Sequence, residues 1–86
     1  METIKKGVYK HFKGNYYLVE DVAINTEDDS LYVVYRALYD ESKLFIRPLE
    51  SFLSPIDKEK YPDVKEEYRF EYQGKTIESK YLNKKL

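Results

Sequence analysis

The 86-residue sequence predicts a mainly β domain, five strands closing into a small barrel. Short apolar segments start about every ten residues, and brief polar turns join them, which is the rhythm of a barrel or sandwich. Ten tyrosines and four phenylalanines, with no tryptophan, add ring area that β-sheet accepts readily.

Gly7 opens a first strand, Val8 to Lys13, and Gly14-Asn15 turns the chain back. A long second strand covers Tyr16 to Ile24. Alternation sets Tyr17, Val19 and Ala23 on one face and Tyr16, Leu18, Val22 and Ile24 on the other. Asn25 to Ser30, polar and acidic, forms the hairpin loop. The third strand, Leu31 to Tyr39, carries Val33, Tyr35, Ala37 and Tyr39 on one face and Tyr32, Val34, Arg36 and Leu38 on the other. Both faces are largely apolar, so part of this strand is expected to be covered on both sides. Asp40 to Lys43 connects tightly into Leu44 to Arg47, and Pro48, which lacks an amide hydrogen, ends that strand.

The pattern changes from Ser51. Ser51-Phe52-Leu53 reads as a single 3₁₀ turn ahead of Ser54-Pro55. Residues 57–67 are highly charged, with Tyr61 and Val64 as their apolar anchors, and suit an ordered loop. Tyr68 to Tyr72 alternates, with Tyr68, Phe70 and Tyr72 on one face, and makes the closing strand. The chain thus divides into a barrel domain over residues 1–72 and a C-terminal extension over residues 73–86. In the extension, Ile77 and Tyr81 fit a hairpin strand or a short helix, and the final Asn-Lys-Lys-Leu is expected to fray. At this size, short and strongly twisted strands close most economically as an SH3-like barrel.

Charge and composition narrow the functional classes. Fifteen basic and sixteen acidic residues leave a formal net charge of −1, without the basic excess common in nucleic-acid binders. The charge is unevenly placed, however: Lys5, Lys6, Lys10, Lys13 and His11 share a stretch with no acid, while Glu27-Asp28-Asp29 and residues 57–67 hold most of the negative side. With no cysteine, neither disulfides nor thiolate metal sites arise. No apolar run approaches the roughly 20 residues of a spanning helix, and the first residues lack a signal-peptide core. A cytoplasmic protein with no membrane contact is expected.

Catalytic constellations are missing. His11 is the single histidine, so a zinc site of three or four Cys or His ligands cannot form. No serine stands in a nucleophile elbow, and no glycine-rich phosphate cradle occurs. The acidic loop lacks the spacing and glycine of an EF-hand. The sequence therefore predicts neither an enzyme nor a cofactor.

The pointers to a site are two arginines inside apolar strands, Arg36 and Arg47. A guanidinium placed in sheet needs a partner. Each either clamps a carboxylate such as Glu20, Asp21 or Glu50, or presents a planar donor fork beside Tyr9, Tyr35 or Tyr39 to a phosphate, a carboxylate or a stacked base. His11 either packs locally or donates to a ligand. Tyr9, His11, Tyr35, Arg36, Tyr39 and Arg47 are the candidate binding residues.

A run of motifs in order, Gly7-x-Tyr9-x-His11-Phe12-Lys13-Gly14-x-x-Tyr17-x-Val19, Ala23, Thr26-Glu27, Val33 to Tyr39, Leu44 to Pro48, Phe52 and Arg69-Phe70, resembles the small bacterial domain of unknown function 1653 family. The resemblance spans about Gly7 to Tyr72. It implies a compact SH3-like β domain, alone or fused to other modules, with no established activity and no catalytic residues to carry over. Two roles follow from the residues. One is a non-catalytic binding module whose aromatic and arginine surface takes a nucleic acid or a peptide. The other is a structural or interaction domain that assembles through a sheet edge, its arginines purely structural, as a monomer or weak homodimer.

Overall fold

A computed structural model of the chain describes residues 4–82. The expected fraying of the last four residues lies outside them. The elements run β1 (Gly7–His11), β2 (Tyr16–Ile24), β3 (Leu31–Ala37), β4 (Leu44–Pro48), a one-turn helix α1 (Leu49–Phe52), β5 (Phe70–Gly74) and a 3₁₀ turn at Ser79–Tyr81. All five strands join one antiparallel sheet in the order β4-β3-β2-β1-β5. The boundaries differ from expectation at β1, which ends at His11 rather than Lys13, at β3, which ends at Ala37 rather than Tyr39, and at the last strand, which runs from Phe70 to Gly74. The turn expected as 3₁₀ at Ser51-Phe52-Leu53 is α-helical and begins at Leu49.

Closure into a barrel, as expected from the sequence, is not what forms. Among the described residues β4 and β5 both remain edges, and no ladder joins them. The sheet nevertheless curls strongly. Flat, with strands about 4.8 Å apart, β4 and β5 would stand roughly 19 Å from each other. Instead the Arg47 guanidinium of β4 lies 5.6 Å from the Phe70 ring of β5. The gap between the two edges is filled by side chains of α1 rather than by backbone pairing. Pro48 stops β4, and Leu49 and Phe52, one turn apart, both point inward and are buried.

The inner face carries the main core: Tyr9, Val19, Val33, Tyr35, Leu49, Phe52 and Phe70. Phe52 is 1% exposed and stacks on Phe70 with ring centroids 4.0 Å apart and planes 6° from parallel. It also meets Tyr9 and Tyr35 edge-on at 5.3 and 5.5 Å. A smaller cluster on the outer face holds Val8, Leu38 and Tyr81, with Tyr16 and Leu18 against them. Of the expected third strand, Leu38 just past the end of β3 is the outer-face residue that is buried, while Tyr32, Val34 and Arg36 are half-buried. The C-terminal extension takes its helical alternative: the 3₁₀ turn drops Tyr81 onto Val8, and its hydroxyl donates to the Gln73 carbonyl at 3.3 Å.

A bulge at Glu20 corrects the three face assignments that follow it, those of Val22, Ala23 and Ile24. Val19 pairs with Tyr35 and Asp21 with Val34, so Glu20 is the extra residue. The slip places Val22 opposite Val33 and Ile24 opposite Leu31, on the inner face with Tyr17 and Val19, and Ala23 opposite Tyr32 on the outer face, each the reverse of what strict alternation gives.

Residues 53–69 leave the sheet and return through a narrow neck. Ile56 N–H donates to the Glu67 carbonyl at 2.9 Å and Arg69 N–H to the Ser54 carbonyl at 3.1 Å, with Pro55 bridged to Tyr68 between them. Lys58 Nζ ties the loop internally, donating to the Val64 and Glu66 carbonyls at 2.6 Å each.

Two substitutions test this packing by chemical denaturation. Gly7 has φ +139°, and a Cβ there would sit 2.6 Å from the Gly74 carbonyl oxygen, a backbone atom of β5. Gly7→Ala is expected to cost at least about 1–3 kcal/mol, since neither φ nor the neighbouring strand can yield freely. Phe52→Ala removes the ring joining both edges and is expected to cost about 3–5 kcal/mol.

Candidate ligand-binding face

Register decides which side chains share the inner face. Tyr9 pairs with Tyr17, Tyr17 with Ala37, Tyr35 with Phe45, Val33 with Arg47, and His11 with Phe70. Directly paired residues project to the same side, so these rings and Arg47 form one surface. Arg36 pairs with Leu18 and Leu44 and projects to the opposite side. There Nε donates to Glu20 Oε2 at 2.8 Å and Nη1 to the Ser42 carbonyl at 2.9 Å. Arg36 is a clamp between the β2 bulge and the β3–β4 turn, the carboxylate-paired role that the sequence allows for it.

Arg47 is held differently. Its Nε donates to the Tyr35 hydroxyl at 3.2 Å and its Nη1 to Ser51 Oγ at 3.3 Å. Ser54 Oγ donates to the Ser51 carbonyl at 2.7 Å and accepts from Arg69 Nε at 3.2 Å. One linked group of two serine hydroxyls and the Ser51 carbonyl at the end of α1 therefore anchors both guanidinium groups. Every side-chain acceptor in it is neutral. Among the described residues, no carboxylate stands within ion-pair distance of Arg47, Arg69 or Lys13. Nη2 of Arg47 takes no part in these bonds.

His11 sits in the midst of these cations. Its ring stacks on Phe12 at 4.6 Å and meets the Phe70 ring edge-on at 4.9 Å. Nδ1 accepts from the Lys13 amide at 3.1 Å, which leaves the ring proton to Nε2 in the neutral form. Burial, then the positive charges of Arg47, Arg69 and Lys13, push its pKa from 6.5 down to about 4. The imidazole is therefore neutral at pH 7, held so by burial first and by the three neighbouring cations second.

Rings flank this centre on both sides. Towards the 53–69 excursion, Phe12 meets Tyr61 edge-on at 5.0 Å, and Lys13 Nζ lies 5.5 Å from the Tyr61 ring. Towards the β3–β4 turn, Tyr17 packs edge-on against Tyr39 at 5.5 Å, and their hydroxyls share a hydrogen bond of 2.9 Å. Burial and that bond raise the Tyr17 pKa. Beyond Tyr39 opens a cavity of about 660 Å³, lined by Ala37, Tyr39, Asp40, Glu41, Lys43 and Phe45.

Of the six expected site residues, His11, Tyr35, Tyr39 and Arg47 share this face, with Tyr35 buried as the support of Arg47. Tyr9 is buried beneath it, its hydroxyl donating to the Lys5 carbonyl at 2.8 Å. Arg36 is on the far side. Arg69 is the residue that sequence reasoning missed, together with Phe12, Lys13, Tyr17 and Phe45 around it. Alternation with Phe70 would send Arg69 outward. It precedes the strand, however, and the neck to Ser54 turns its side chain back over the face. Among the described residues no group of three or more His, Cys, Asp or Glu side chains is placed to hold a metal ion.

Comparison with known proteins supplies a family and a fold. No curated protein matches the chain. A crystal structure of a protein belonging to the DUF1653 family from Bordetella bronchiseptica is similar, at 29% identity and a TM-score of 0.74, covering 88% of this chain and 95% of that one. The family model for DUF1653, described as a protein of unknown function, matches residues 7–72. On that match, which takes in β1 through most of β5, the chain belongs to the DUF1653 family.

Proposed function

We propose that this chain is a non-catalytic binding module, an open relative of the SH3-like barrels, whose aromatic and arginine-bearing inner face holds an anionic ligand. The observation that carries the reading is the charge state of the centre. Two arginines and a lysine surround a neutral histidine, the arginine side chains are held by neutral hydroxyls, and among the described residues no carboxylate pairs with any of the three. A purely structural arginine is expected to look like Arg36, paired to a carboxylate on an outer surface. Unmatched guanidinium forks fixed by neighbours suit a phosphate or a carboxylate, since their geometry is set before the ligand arrives. A nucleic acid and a peptide both offer such groups.

Because His11 is the only histidine, its ring resonances report this centre alone. Sulfate, dianionic throughout the range, serves as the probe. A bound anion favours the imidazolium, so the His11 midpoint is expected to rise from about 4 as sulfate is added. By linkage, sulfate then binds more tightly as the pH falls through the raised midpoint towards about 4. Arg47→Ala and Arg69→Ala each move the free midpoint upward and blunt the sulfate response. Arg36→Gln leaves both unchanged, and thermal melts verify folding. A His11 midpoint that sulfate does not move overturns the reading.

A second reading, assembly through a sheet edge, rests on β4. Leu44, Phe45 and Ile46 are 49%, 37% and 65% exposed on an edge strand, and no lysine, bulge or proline interrupts them before Arg47. Such an edge is open to pairing with a second copy across a two-fold axis. Sedimentation is then expected to show a concentration-dependent dimer that Ile46→Lys returns to monomer. A monomer at every concentration rules this assembly out.

A further inference from the structure

We infer that the anion gripped by Arg47 and Arg69 is a backbone phosphate of a short single-stranded nucleic acid, with its bases stacked on the rings at either side. The inference rests on the anion-binding reading above and names its ligand class. Three features separate nucleic acid from an acidic peptide. First, the cationic centre lies between two sets of rings rather than beside one. Phe12 and Tyr61 stand on one flank, and Tyr39 and Phe45 on the other. Flat partners on both sides of a phosphate are what a strand of stacked nucleotides provides, and a π-face accepts any base. An acidic side chain has no such face.

Second, the two acids that line the cavity pair with neither Arg47 nor Arg69. Asp40 and Glu41 line the cavity beyond Tyr39, with Lys43 Nζ 3.6 Å from Glu41 Oε1. A carboxylate-rich peptide is repelled there. A neutral base is not, and its exocyclic amino group can donate to either acid, as cytosine N4 does. The cavity volume of about 660 Å³ is within the range of small-molecule sites. Third, Lys13 Nζ lies 6.0 Å from the Phe12 ring and 5.5 Å from the Tyr61 ring, so a second phosphate can follow a base stacked on that flank. The positive charge is local, and the chain carries −1 overall, so the contact is limited to a few phosphates.

The experiment follows the fluorescence anisotropy of 5′-fluorescein decadeoxycytidylate with the full chain. Binding is expected at low salt. Neutralising about three phosphates gives a slope near −2 for log K against log salt. Arg69→Ala reduces that slope by about 0.7. Phe45→Ala and Tyr61→Ala leave the slope in place and weaken binding about tenfold each, the mark of lost stacking rather than lost charge. Sulfate that raises the His11 midpoint while the oligonucleotide fails to bind overturns this inference and leaves the anion site standing. Displacement of the oligonucleotide by equimolar hexaglutamate, or full affinity in both ring variants, also overturns it in favour of a peptide. If sulfate too has no effect on His11, both the ligand class and the site fall together.

Discussion

The parallel stack of Phe52 on Phe70 is the contact on which the rest of the molecule depends. Phe52 belongs to the helical turn after β4, and Phe70 begins β5 at the other end of the strand order. Joining them draws the two edges of an open sheet together without a hydrogen-bonded ladder. Aromatic burial does what backbone pairing does in a closed barrel, and it leaves the opening lined with side chains. The serine hydroxyls of Ser51 and Ser54 are presented at that opening because α1 is only one turn long and ends there.

From that arrangement follows the electrostatics of the inner face. Arg47 comes from β4 and Arg69 from just before β5, and the stacked pair together with the neck to Ser54 brings them to neighbouring serine hydroxyls. Like charges brought together raise each other's free energy unless something opposes them. Among the described residues no carboxylate pairs with them, and His11 beside them is neutral at pH 7. The contrast with Arg36 is instructive: the same residue type, one strand away, is neutralised by Glu20 on the outer surface. Position within the sheet, not residue type, separates an arginine that ties the fold from one whose charge is left over.

Much of the architecture was legible in the residues. The turn at Gly14-Asn15, the acidic hairpin loop, the two-sided apolar character of β3 and the stop at Pro48 all stand where local chemistry placed them. Val22, Ala23 and Ile24 were misread because a bulge adds a residue to β2 alone, and the cross-strand count that reveals it is not encoded in alternation. Arg69 escaped notice for a related reason. Its orientation is set by hydrogen bonds to Ser54, fifteen residues earlier, across the neck of an excursion with no periodicity of its own.

The sequence by itself determined the strand class, the turns and the richness in rings, because these depend on neighbours within a few residues. It also marked Arg36 and Arg47 as unusual, since charge inside an apolar strand is visible without any fold. Only the tertiary structure decided that the sheet stays open, that these two arginines face opposite ways, and that Arg69 joins one of them beside His11. Those outcomes turn on register and on contacts between distant segments. A one-residue slip inverts every face that follows, and nothing in the local order of residues announces it.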